Sequence, residues 1–81
     1  MVLTEKVLLH FFEENLGVDT AGIDADTLLF STSLLDSFSM IEMIEFVESQ
    51  ANIRFSPTQV NLDNLDSIRR ILAFVSKSTG S

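Results

Sequence analysis

Asp36 and Ser37 are the adjacent pair with the most chemistry to offer. A short carboxylate can accept the orphan backbone N–H groups of a helix's first turn, so Asp36 predicts an N-cap and Ser37 the first helical residue. The residues that follow agree. Met40, Met43, Ile44 and Val47 fall at i, i+3, i+4 and i+7, the spacing of a buried stripe. Phe38, Ile41, Glu42, Glu45 and Glu48 fall around the opposite side. A helix face that mixes a phenylalanine and an isoleucine with glutamates, headed by a serine hydroxyl, suggests an attachment point beside a docking surface.

Other chemistries fit less well. A serine nucleophile needs a general base within reach and donors for an oxyanion. The single histidine, His10, falls mid-helix, and no serine–glycine elbow occurs. The chain is therefore read as having no catalytic residues. Asp24 and Asp26 lack the remaining ligands and the glycine of a calcium loop, so they read as a solvated loop and no metal is expected. The 3 glycines are scattered and make no phosphate-cradling loop. Covalent modification of Ser37 survives. Backbone amides at a helix N-terminus suit a phosphate on that serine. Asp36 opposes the added charge, unless a modifying enzyme brings a divalent cation, for which paired oxygen anions are good ligands.

The elements that must position this pair are helical. Leu8, Phe11, Phe12 and Leu16 predict a first helix over about Leu3 to Leu16, started by Thr4 and Glu5 and stopped by Gly17. Val18 to Leu35 lacks periodicity and reads as a long loop anchored by Ile23, Leu28, Leu29 and Phe30. Loops of that length in small domains are usually functional. The second helix spans about Ser37 to Gln50. Ala51 to Phe55 forms a link with Ile53 and Phe55 turned inward. Ser56-Pro57 starts a short third helix, which Asn61, Asp63 and Asn64 interrupt. Asp66 or Ser67 caps a last helix with Ile68, Ile71, Leu72 and Val75 inward, and residues 76–81 read as a frayed polar tail. The expected fold is all-α: a four-helix bundle of three longer helices and one short one, with a long first loop.

Composition bounds the rest. A chain of 81 residues makes one domain, expected here to span residues 1–81, that buries roughly 60–65% of its unfolded surface. A hydrophobic content of 46% suffices for a core, and the absence of cysteine excludes disulfides, thiolate metal sites and a cysteine nucleophile. No apolar run is long enough to span a membrane, and no leader pattern precedes the first helix, which favours the cytoplasm. The net charge of -7 is unevenly spread: between Lys6 and Arg54 there is no lysine or arginine, but there are nine acidic residues. That surface repels nucleic acid and anionic membranes and attracts basic patches on proteins. It also serves solubility by itself.

The segment Asp26-Thr27-Leu28-Leu29-Phe30-Ser31-Thr32-Ser33-Leu34-Leu35-Asp36-Ser37-Phe38 resembles the prosthetic-group segment of acyl and peptidyl carrier proteins. Met43, Val47 and Glu48 match the continuing helix, Ile53-Arg54-Phe55-Ser56-Pro57 the link, and Asn64-Leu65-Asp66-Ser67-Ile68 the entry to the fourth helix. The resemblance covers essentially the whole chain and implies a four-helix carrier bundle. It further implies that Ser37 carries 4′-phosphopantetheine as a phosphodiester, with Asp36 part of the motif read by a magnesium-dependent transferase that uses coenzyme A. Cargo would ride on the arm's thiol as a thioester, loaded by an acyl or aminoacyl ligase and passed to a downstream synthase or transferase. The pathway would be of fatty acid, polyketide or nonribosomal peptide type, and the carrier a monomer. Phe38 and Ile41 would anchor docking, while Glu42, Glu45 and Glu48 would meet basic residues. Two departures stand out. Ser33 occupies a position where many relatives have glycine, and Phe38-Ser39-Met40 replaces a leucine followed by more acidic residues. The Leu-Leu-Asp-Ser form is more similar to free-standing carriers serving amino acids or dedicated pathways.

Overall fold

A computed structural model describes residues 3–78, and within them every regular element is helical. The helices are α1 (Glu5–Asn15), α2 (Ser37–Ala51), α3 (Leu62–Leu65) and α4 (Ile68–Ser78), with a 3-10 turn at Pro57–Gln59. Three longer helices and one short one, with a long first loop, are what the sequence predicts.

Each terminus has a local cause. Thr4 starts α1 by accepting the Val7 N–H on its hydroxyl, and Gly17 takes the left-handed conformation (φ 67) just past the end. Asn52 ends α2 in the same region (φ 56), which an asparagine tolerates better than most residues. The Glu48 carboxylate then accepts the Phe55 N–H at 2.8 Å, fixing the direction of the link that follows.

The third-helix segment departs from expectation. Pro57–Gln59 forms only a 3-10 turn, closed by the Ser56 N–H on Gln59 Oε1 at 2.9 Å. Asn61 does interrupt the chain there, yet it does so by capping α3: its Oδ1 accepts the Asn64 N–H at 3.0 Å. Asp63 and Asn64 therefore lie inside a helix instead of ending one. The tail also differs, since α4 continues through Ser76 and Lys77 to Ser78. The remainder of the expected frayed tail, residues 79–81, lies outside the described residues.

The core combines all four helices with the long loop. Leu8, Phe12, Leu29, Met43, Val47, Leu65, Ile68 and Ile71 have no exposed surface. Full burial of such a side chain stabilises by about 1.5–3 kcal/mol relative to exposure. Met40 and Ile44 are half-buried at the margin of the α2 stripe. Two stacked ring pairs close the flanks: Phe11 on Phe46 with centroids 4.2 Å apart, and Phe55 on Phe74 at 4.5 Å. Of the predicted loop anchors, Leu29 is buried and Ile23 and Phe30 pack against the core, but Leu28 remains 38% exposed.

Candidate functional site

Asp36 and Ser37 sit where the loop hands over to α2. Asp36 is extended (φ -101, ψ -177) and accepts the Ser39 N–H on its side chain at 2.8 Å. Its carbonyl takes the Met40 N–H at 3.0 Å, the first bond of the helix. The Ser39 amide first, then the Ser39 side chain, hold the Asp36 carboxyl below its ordinary value, outweighing the small effect of burial. Ser37 follows as the first residue of α2 and is exposed. Its hydroxyl is thus presented to solvent from a fixed backbone.

What fixes that backbone comes from far away in sequence. Asp66 is 2% exposed. Its Oδ1 accepts the Phe30 N–H at 2.7 Å and the Ser31 N–H at 3.0 Å, and its Oδ2 accepts the Ser31 hydroxyl in a very short bond. Its carbonyl accepts the Leu29 N–H at 2.7 Å, and the Leu29 carbonyl in turn accepts the Leu35 N–H at 2.8 Å. The loop before Ser37 is therefore clamped onto the entry to α4. Burial alone would raise the Asp66 pKa. The Ser31 hydroxyl, the two loop amides and the charge of Arg70 outweigh it, so the net direction is downward and the clamp is a carboxylate. Sequence reading treats Asp66 or Ser67 as the cap of α4. The cap is Ser67, whose Oγ accepts the Arg70 N–H at 3.2 Å, which leaves Asp66 for the loop. Apart from its position beside a helix start, Asp66 carries no signal in the sequence of its partners.

Ser33 lies within the same turn at φ 63, with its N–H donated to the Phe30 carbonyl at 3.1 Å. This is the left-handed region that favours glycine, which explains why a glycine suits the position. A cleft of about 280 Å³ opens alongside, lined by Phe30, Ser33, Leu35, Asp36, Ser37 and Met40. Nearby, Asp24 accepts the Asp26 N–H at 2.8 Å, and Asp26 pairs with Arg69 at 2.5 Å, so both carboxylates serve the loop's own structure. Among the described residues no group of three or more His, Cys, Asp or Glu side chains is placed to hold a metal ion. No described helix is long and apolar enough to cross a membrane.

The predicted docking residues do not all share one environment. Phe38 is 67% exposed and Ile41 57%, so neither folds back on the loop. Glu45 is exposed and Glu42 half-exposed on the same helix, and both border a cleft floored by Phe11 and Phe46. Glu48 is different. Its carboxylate is engaged by the Phe55 amide, which gives it a structural task at the far end of α2. Leu34, at 41% exposure just before the Asp36-Ser37 pair, extends the apolar surface in a direction the helical pattern does not reveal.

Comparison with known proteins bears directly on this arrangement. The family described as phosphopantetheine attachment site matches residues 6–75. A protein of Abiotrophia defectiva named D-alanyl carrier protein is 32% identical over 73 residues, covering 90% of this chain and 92% of its own length. A Serratia protein named "Probable acyl carrier protein PigG" is 20% identical over 76 residues, covering 94% of this chain and 87% of its own. With the family's pattern running from α1 into the last turns of α4, the chain belongs to the phosphopantetheine-attachment family of carrier proteins, whose prosthetic group is phosphopantetheine.

Proposed function

We propose that Ser37 is the attachment residue and that the protein carries acyl or aminoacyl groups as thioesters on a 4′-phosphopantetheine arm. The observation that carries this reading is the exposed hydroxyl of Ser37 at the head of a capped helix, inside the span matched by the family. The residues fit the group. Attachment makes a phosphodiester between Ser37 Oγ and the arm as the phosphoanhydride of coenzyme A breaks, with adenosine 3′,5′-bisphosphate as the leaving group and the serine proton passing to a base of the transferase. The hydroxyl is accessible for that exchange, and the adjoining cleft leaves room for a chain to depart. The Asp36 carboxylate, ionised at neutral pH, can share a divalent cation with the incoming phosphate on the transferase.

Once attached, the arm confines its cargo near any enzyme that holds α2. Tethering raises the effective concentration of the group without contacts to the group itself. Phe38 and Ile41 supply exposed apolar anchors for such a docking, and Glu42 and Glu45 supply charge that speeds encounter with basic surfaces. The expected partners are a phosphopantetheinyl transferase, a loading ligase and a downstream synthase or transferase, met by a monomer in the cytoplasm. The relative named for D-alanyl cargo favours an aminoacyl load over a long fatty chain.

Intact mass measurement after incubation with coenzyme A, magnesium and a broad-specificity phosphopantetheinyl transferase tests the proposal. One arm is expected on the wild type and none on Ser37→Ala. A folded wild-type protein that takes no arm beside a carrier that does would point instead to an unmodified helical adaptor docking through its acidic face.

A further inference from the structure

In the attachment reading the cleft beside Ser37 serves only as room for the arm. It is lined by the loop residues Phe30, Ser33 and Leu35, by Met40 of α2, and by Asp36 and Ser37. We infer that this cleft seats the first unit of the arm, the neutral, methyl-branched segment next to the phosphate, with the Ser33 hydroxyl as its polar partner. The inference rests on Ser37 bearing the arm.

Three observations support it. The first is chemical match: Phe30 and Met40, both half-buried, offer apolar surface to two methyl groups with the buried Leu35 beneath, and Ser33 offers the hydroxyl that a glycine in the same turn would lack. Burying apolar groups against apolar walls is favourable wherever the neighbouring polar groups find partners. The second is charge. Asp36 is held ionised, so a phosphodiester is repelled from the cleft and stays on its solvent side, and the uncharged unit is the part that enters. The third is size. At about 280 Å³ the cleft lies at the foot of the range of roughly 300–1,000 Å³ typical of ligand pockets, enough for one arm unit and too small for the arm with a long acyl chain. The wall is also held in place, because Asp66 clamps Phe30 and Ser31. A seated first unit would aim the rest of the arm along one direction from α2.

Nuclear magnetic resonance on isotope-labelled full-length protein, loaded with the arm and checked by intact mass, tests this. Nuclear Overhauser contacts are expected from the arm's paired methyl groups to the Phe30 ring and the Met40 ε-methyl. Amide shifts between the unloaded and loaded forms are expected at Phe30 and Ser33. Ser33→Ala, which keeps a side chain but removes the hydroxyl, should weaken the contacts. A loaded protein whose shifts stay confined to Ser37 and its chain neighbours, with no such contacts, overturns the inference alone. Contacts that persist at full strength in Ser33→Ala overturn the role of the hydroxyl. A protein that accepts no arm overturns the attachment reading and this inference together.

Discussion

Removing the Asp66 carboxylate should loosen the segment that leads into Ser37. Asp66→Ala deprives the Phe30 amide, the Ser31 amide and the Ser31 hydroxyl of their acceptor at once. Hydrogen bonds to a charged group contribute about 1.5–3 kcal/mol each, and a buried donor left without a partner costs about 1–3 kcal/mol. Ser31 reaches solvent, so water replaces part of what is lost. A net loss of roughly 3 kcal/mol follows, against a total of roughly 4–12 kcal/mol for a domain of 81 residues. At about 4–8 °C per kcal/mol the melting temperature should fall by about 12–24 °C. Asp66→Asn keeps one carbonyl oxygen for the two amides and should lose about half as much. Ser31→Ala removes only one part-buried bond and should lose about 1 kcal/mol. Thermal circular dichroism on the three variants reads this order. An Asp66→Ala protein melting with the wild type would show that the clamp is incidental. Equal losses for Asn and Ala would mean that charge, not acceptor geometry, holds the loop.

Ser33→Gly should raise stability by about 0.5 kcal/mol, because relief of the left-handed backbone slightly exceeds the added chain entropy of glycine; chemical denaturation with an unchanged m-value would check it. Charge reversal at Glu42 and Glu45 should slow cargo transfer by partner enzymes, most strongly at low salt, with the helical circular dichroism unchanged. Glu48→Gln keeps an oxygen for the Phe55 amide and should stay folded, whereas Glu48→Ala should lose about 1 kcal/mol in a denaturation series, because its carboxylate is spent on the link. Asp36 and Asp66 titrate below their ordinary 3.8 when folded, so the unfolded chain binds more protons in that window. Their contribution is complete above about pH 4 and is lost as pH falls through the folded values; an acid titration followed by circular dichroism should place the loss there and not between pH 5 and 7.

What could be read without coordinates was local in sequence. The cap at Asp36, the serine after it and the Met43–Val47 stripe are short-range patterns, and each stands as the pattern requires. Ser33 stands where the resemblance expects glycine, but its left-handed backbone is seen only in the structure. What local pattern does not show has a common cause: one side chain type serves two geometries. An asparagine that breaks one helix by capping the next looks the same from either side, and Asn61 is such a residue. Asp66 beside a helix start reads as a cap, though its partners lie 35 and 36 residues earlier and a serine next to it takes the capping role. Glu48 falls in the acidic periodicity of α2, and nothing local says that its carboxylate also accepts an amide beyond the helix. Phe46 belongs to neither face of the predicted helix because its partner, Phe11, is on another element.

The clamp on the loop also bears on when the protein becomes usable during its own synthesis. A chain emerging from the ribosome exposes Ser37 well before Asp66, and until the later segment arrives nothing ties down the Phe30 and Ser31 amides. The local caps of α2 need only neighbouring residues, yet the shape of the turn ahead of the serine depends on a contact between distant parts of the chain, whose loop-closure entropy must be met before it forms. A transferase that reads this turn along with the serine would pass over half-made or truncated chains. Modification would then certify that the last helix is in place.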